Sequence, residues 1–363
     1  MLTALLVVAI LVLLIVAHEL GHFIVAKLFR VRVEEFGIGY PPRAFTLGKL
    51  GGTEYTLNWI PFGGFVRLFG DIGEGERGRG SLVGAHRGVQ ALILVAGVAM
   101  NALAAWMLFA AAYHAGIPRV VEERSPGESV RLLVAQVVPG SPADSAGLAP
   151  GDEMLGISDA EGAALDEPTP AAFSDFIRAR GGKPVTLSYV RAEGEMSATI
   201  VPAHAVIPDE AGRPAVGMAL YLVSEQSLSW GAAAMEAFSA LSNSFRAVAG
   251  GLLSIAERVV AGKPSLSGVV GPIGLVGVVG DAARSGVGNL LALAAFISVN
   301  LAIINLVPIP ALDGGRLLLL GIEAAMRRSA PRLALHVMNA LGVALIVFLM
   351  VSVTFNDIAR LLA

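Results

Sequence analysis

The stretch His18-Glu19-Leu20-Gly21-His22 lies inside an apolar run that begins at Met1 and meets its next charge only at Lys27. Residues four apart share one face of a helix, so both imidazoles can address a single metal ion while Glu19, one step round, reaches a water beside it. Two histidines and a carboxylate inside a membrane span are costly to keep there without a use. The bland alternative is a pair of histidines that pack and hydrogen-bond locally. The run has no basic residues ahead of it and no small-residue cleavage site, so it is read as a retained spanning helix and not as a signal peptide.

The rest of the composition agrees with a membrane setting. Of 363 residues, 55% are apolar and only 15% charged, where a globular chain carries roughly 25% charged residues, and the mean hydropathy is +0.70. The chain has no cysteine, which excludes disulfides and thiolate ligands and leaves histidine and carboxylate to hold any zinc. A net charge of -3 gives no reason to expect a nucleic-acid partner.

Four segments are long enough to cross a bilayer, roughly Leu2 to Phe29, Gly88 to Ile117, Ser285 to Leu312 and Leu333 to Asn356. Basic residues crowd the connections between the first and second spans (Lys27, Arg30, Arg32, Arg43) and between the third and fourth (Arg316, Arg327, Arg328). Both connections are therefore expected on the cytoplasmic side, with both termini and the long insert outside. On this topology His18 lies about nine residues, or roughly 13 Å, from the cytoplasmic end of the first span, and the third span ends in the same leaflet at Asp313.

Between the first two spans, Val31 to Tyr40 and Glu54 to Leu68 are β-prone, broken by Pro61 and Gly63-Gly64. Strands beside membrane helices are tolerated only where protein or water covers them, and an edge there, including Gly64 and Phe65, could pair with a substrate backbone. The alternative is a hairpin of structural use alone. Asp71 to Gly80 reads as a solvated loop, and Glu34, Glu35, Asp71, Glu74 and Glu76 are assigned to that charged connection.

From about Arg131 to Ala203 the composition becomes that of a small soluble α+β module with strands at 132–138, 153–157, 185–190 and 196–201 and helices at 143–148 and 171–179. Its size suits one peptide-binding domain. Ser229 to Ala261 reads as an amphipathic surface helix, because Arg246, Glu257 and Arg258 interrupt it, and Lys263 to Gly280 as irregular structure. The divisions are 1–117, 118–225 with its core at 131–203, 226–284 and 285–363. His86, His114, His204 and His336 stand alone and are read as ordinary surface or interfacial histidines.

The third span ends Asn305-Leu306-Val307-Pro308-Ile309-Pro310-Ala311-Leu312-Asp313-Gly314-Gly315. Two prolines interrupt the helix there, and Asp313 would complete with His18 and His22 the three protein ligands that a catalytic zinc usually keeps. The alternative for Asp313 is a helix N-cap. Asn101 in the second span is open between a role in orienting substrate and a polar contact between helices.

These stretches, with Gly37-Ile38-Gly39, Gly63-Gly64-Phe65-Val66-Arg67-Leu68, Ala96-Gly97-Val98-Ala99-Met100-Asn101, Val138-Pro139-Gly140-Ser141-Pro142-Ala143 and Phe355-Asn356-Asp357, together resemble the site-2 protease family of intramembrane zinc metalloproteases, in particular its bacterial RseP-like (regulator of sigma-E protease) branch. The resemblance runs almost end to end. It implies a polytopic α-helical membrane protein of about four transmembrane helices, with a membrane-associated β-hairpin and one inserted PDZ domain. It further implies one Zn2+ held by His18, His22 and Asp313, Glu19 as catalytic base, and Asn305, Pro308 and Pro310 holding an unwound substrate.

Expected substrates are single-span membrane proteins already trimmed by another protease, such as anti-sigma factors, or remnant signal peptides. The expected location is the bacterial inner membrane, the PDZ domain contacting substrate ends or partner proteins outside. Family relatives with two tandem PDZ domains screen substrates with both; this chain shows the pattern of one. The competing readings are a membrane scaffold with an inert metal site, against which Glu19 stands, and a metal transporter.

Overall fold

The computed structural model describes residues 2–71, 78–124, 129–166, 169–191, 194–204, 212–262, 270–328 and 330–362. In chain order the elements are α1 (Leu2–Leu28), β1 (Val33–Leu50), β2 (Thr53–Leu68), α2 (Arg87–Ala115), β3 (Arg119–Val121), β4 (Val130–Val137), α3 (Pro142–Ser145), β5 (Glu153–Asp159) and β6 (Ala164–Asp166), then α4 (Pro170–Arg178), β7 (Val185–Arg191), β8 (Gly194–Ile200), β9 (Met218–Ser224), α5 (Trp230–Val260), α6 (Pro272–Arg284), α7 (Val287–Leu306), α8 (Asp313–Met326) and α9 (Arg332–Leu362). They fall into two compact units, Met1–Ala115 with Leu228–Ala363, and Gly116–Ser227. Most of the expected loop at Asp71 to Gly80, with Glu74 and Glu76, and much of the Gly-rich segment after Lys263 lie outside the described residues.

Among the described residues of the first unit, four helices are long and apolar enough to cross a membrane: Leu2–Leu28, Arg87–Ala115, Val287–Leu306 and Leu333–Ala359. Leu2, Leu5, Leu13, Ile24 and Leu28 of α1 are exposed. A helix apolar all round is stable only when other protein or lipid covers it. The helical core is built from small residues: Ala105 and Ala110 of α2, Ala237 of α5, and Ala295 and Val299 of α7 pack together with Phe109, Val248 and Ile303. Small side chains let helix backbones approach closely where lipid supplies no hydrophobic drive. The segment read as a surface helix is thus α5, which buries Ala233, Ala237 and Val248 and accepts a hydrogen bond from the Trp106 indole at the Ala234 carbonyl (3.0 Å). The segment Lys263 to Gly280, expected to be irregular, is instead helical from Pro272, where proline at the first helical position opens α6.

The β segment between α1 and α2 extends beyond its sequence reading. Strand β1 continues past Pro41 and Pro42 to Leu50, and each long strand is used twice: residues 43–50 pair with 53–58, these pair with 35–38, and those pair in turn with 64–67. Proline removes a ladder donor and so hides such a strand from pattern reading. Glu35, assigned from sequence to a charged loop, is instead buried in β1, where it accepts hydrogen bonds from Arg43 (2.8 Å) and the Thr56 hydroxyl (2.8 Å) and pairs with Arg67 at 3.1 Å. That network ties all four segments of the meander together. Phe23 of α1 packs edge-on against Phe36, with ring centroids 5.5 Å apart, which fixes the sheet to the helix carrying His18 and His22.

The second unit is a sheet of order β3-β9-β4-β5-β7-β8, with β6 paired to β5. Leu132, Val134, Ile157, Leu187, Tyr189 and Leu222 from the sheet meet Phe173 and Ile177 of α4 in its core. Ser141 and Thr169 cap α3 and α4, each followed by proline at the first helical position. Strand β9, beyond the 131–203 core read from sequence, lies beside β4 in register from Val130↔Ser224 to Val137↔Met218.

Asp152 is buried in this unit and takes two hydrogen bonds from Arg191 (2.7 Å each) and one from the Ala149 N–H (2.8 Å). Burial pushes its carboxyl up, but Arg191 and the Ala149 N–H outweigh that and hold it below the ordinary value. A carboxylate depressed in the folded state contributes stability above its unfolded pKa, and that contribution is lost as pH falls through the folded value. Asp152→Asn should therefore cost the unit about 1–3 kcal/mol at pH 7, the gap from the parent closing below about pH 4. Thermal unfolding at pH 7 and pH 3 checks this; equal melting temperatures at pH 7 would contradict it.

Candidate metal centre

His18 and His22 occupy successive turns of α1, and both are buried. They face α2 where Gly97 leaves room for them: a Cβ at position 97 would stand 2.5 Å from His22 Nε2 and 2.6 Å from His18 Cε1. No side chain fits that space without displacing the imidazoles. Nδ1 of His22 hydrogen-bonds the Ile93 carbonyl at 2.7 Å. A ring nitrogen so engaged carries the proton and leaves Nε2 as the free donor atom.

Asp313 arrives from the far end of the chain through a broken helix. Val307, the C-cap of α7, is extended (φ -63, ψ 135), as expected of a residue preceding proline. The chain then turns through Ala311, a non-glycine residue at φ +82, a conformation that costs on the order of 1–3 kcal/mol and persists where surrounding structure enforces it. Gly314 and Gly315 pass so close to the carbonyls of Leu306 and Ile309 that a Cβ would lie 2.3 and 2.2 Å from those oxygens. This tight return starts α8 at Asp313 with its carboxylate beside the histidines.

Asp313 Oδ2 is 3.0 Å from His18 Nε2 and 3.3 Å from His22 Nε2, and the two Nε2 atoms are 3.2 Å apart. Tetrahedral zinc with bonds of about 2.0–2.1 Å spaces its ligand atoms at about 3.3 Å, so the donor set fits that ion in both number and spacing. Two imidazoles and one carboxylate also leave a fourth position open. Among the described residues these three form the cluster able to hold a metal.

The centre opens on a cavity of about 350 Å³ lined by Glu19, Tyr40, Gly64, Phe65, Asn101, Asn305 and Arg316 besides the three ligands. Glu19 stands against the edge strand, where a Cβ on Gly64 would lie 3.4 Å from Glu19 Cγ. The edge strand and Glu19 thus share one wall. Of the residues singled out from sequence, Asn305, Gly64 and Phe65 line this cavity. Pro310 lines a neighbouring one of about 510 Å³ with Phe65, Arg316, His336 and Asn339, and Pro308 is exposed and lines neither.

Sequence reasoning passed over Gly97, Ile93 and Arg316, which forms an ion pair with Asp71. Gly97 had a signal, since it stands in the quoted Ala96 to Asn101 stretch. The Ile93 carbonyl had none, because any residue supplies one. Of the isolated histidines, His86 accepts the Gly88 N–H (3.1 Å) and His114 stacks on Trp230 with centroids 4.1 Å apart.

Three donors able to hold a metal ion, with the Glu19 carboxylate lining the same cavity and helices of membrane length around them, suit a metal-dependent hydrolase. The chain belongs to peptidase family M50, whose family model matches residues 6–349. A Clostridium perfringens protein named a candidate zinc metalloprotease is 36% identical over 350 residues, covering 95% of this chain and 95% of its own. A Nostoc protein of the same description is 32% identical over 340 residues (89% and 87%), and one from Rhizobium meliloti is 29% identical over 368 (96% and 94%). Among solved structures, the PDZ domain of an SdrC-like protein from Listeria monocytogenes is similar over 28% of this chain and 93% of its own, at 22% identity and a TM-score of 0.21.

Gly97→Ala should weaken metal binding by at least about tenfold, the scale of losing an outer-shell partner, because the new methyl group occupies the place of both imidazoles. Metal content of the purified variant checks this, and parent-level content would contradict it.

Proposed function

We propose that the chain is an intramembrane zinc metalloprotease that cleaves peptide bonds within membrane-spanning segments of single-span proteins. The observation that carries the reading is the convergence of His18, His22 and Asp313 beside Glu19 in a cavity among helices of membrane length. His18, His22 and Asp313 hold the Zn2+, which when bound supplies Lewis-acid polarisation of the attacking water and the scissile carbonyl.

Glu19 takes the proton from the attacking water and passes it to the departing amine nitrogen. A helical substrate hides its carbonyls in internal hydrogen bonds and must unwind before attack. The edge of β2 at Gly64 and Phe65 replaces those bonds by strand pairing. Asn305, on the opposite element, orients the extended chain by its carboxamide, and Pro308 and Pro310 keep the broken segment of α7 from re-forming helix.

Topology follows the charge bias of the connections: cytoplasmic at 29–86 and 307–332, with both termini and unit Gly116–Ser227 outside, in the bacterial inner membrane. That unit is read as a PDZ domain that meets trimmed substrate ends or partner proteins. Natural substrates fitting this arrangement are anti-sigma factors shortened by another protease and remnant signal peptides.

Glu19→Gln should lower cleavage of a co-expressed single-span substrate by about 10²–10⁴-fold, the usual contribution of a general base, with zinc content unchanged. Cleavage at the parent rate would overturn the assigned role.

A further inference from the structure

Asn101 lies in α2 and is fully buried. Its carboxamide nitrogen stands 3.3 Å from His18 Nδ1, its Oδ1 is a buried acceptor with no hydrogen-bond partner, and its backbone carbonyl accepts the Ser298 hydroxyl of α7 at 2.8 Å. An NH₂ facing Nδ1 selects the imidazole tautomer with its proton on Nε2, which is closed to a metal. Nitrogen and oxygen of a carboxamide are interchanged by a half-turn of the side chain. Turned over, Oδ1 accepts the Nδ1–H of His18 and leaves the Nε2 lone pair facing Asp313 and His22.

His22 already shows the matching arrangement, its Nδ1 on the Ile93 carbonyl. Ile93, Gly97 and Asn101 recur at every fourth residue of α2 and so form one stripe. Ile93 secures His22, Gly97 leaves space for both rings, and Asn101 secures His18. A polar contact serving only to join helices requires none of this alignment with the two imidazoles.

We propose that Asn101 is the positioning residue for His18, accepting its Nδ1–H through Oδ1, and that the Ile93-Gly97-Asn101 stripe is the template that sets the tautomer and placement of both histidine ligands. This rests on the metal centre described above. The experiment is zinc affinity of the purified full chain, measured by competition with a chromophoric chelator, with the unfolding temperature of each metal-free variant as the control for folding.

Asn101→Leu, similar in volume but without an acceptor, binds zinc about 10–100-fold more weakly. Asn101→Asp, which offers only oxygen, keeps the parent affinity. Asn101→Ser is too short to reach the ring; it loses affinity as the leucine variant does and serves in its place if that variant does not fold. Parent-level affinity in the leucine or serine variant, or an aspartate variant as weak as leucine, overturns the inference. A parent chain that binds no zinc overturns the metal reading itself, so the two failures are distinguishable.

Discussion

Three largely buried polar donor groups, held within about one ligand spacing of each other, constrain the rest of this molecule. Each donor is expensive to bury alone, and the 3.0–3.3 Å separations among His18, His22 and Asp313 make sense only if a shared proton or cation compensates their proximity. Much of the first unit answers that constraint. Helix α1 supplies the histidines at i and i+4, α2 receives them at a position without a side chain, and α7 stops short so that the carboxylate of α8 can reach across 295 residues of sequence.

Helix interruption is the second device. A continuous span through residues 307–312 would satisfy its own backbone but would carry Asp313 past the histidines. Two prolines, a strained Ala311 and the Gly314-Gly315 return place irregular backbone where it lines cavities, the setting in which such backbone is tolerated at membrane depth. The meander of β1 and β2 obeys the same rule. Its buried Glu35 and the Phe23–Phe36 contact hold a sheet edge next to Glu19 without relying on loops. A site assembled on rigid elements keeps its geometry better than one on mobile segments.

The two cavities share Tyr40, Phe65, Ala311, Asp313 and Arg316. The wall that carries Glu19 therefore continues into a more apolar trough bounded by α8 and α9. The Asp71–Arg316 pair joins the segment after β2 to the first turn of α8 at this boundary, so the hairpin and the ligand-bearing helix are coupled by charge as well as by packing.

Sequence alone determined the four apolar spans and the two histidines with their neighbouring glutamate, and marked Asp313 as a candidate partner, because helical periodicity, hydropathy and proline punctuation are local properties written in adjacent residues; only the fold brought Asp313 to the histidines. Sequence also marked the second unit as strands interspersed with two short helices. Tertiary structure decided what depends on encounters between distant segments: that β1 runs through Pro41 and Pro42 to double the sheet, that Glu35 is buried between two arginines, that β9 lies beside β4, and that α5 packs into the helical core. It decided the roles of Ile93 and Gly97 for the same reason, since a main-chain carbonyl and a missing side chain acquire meaning only from the imidazoles placed against them.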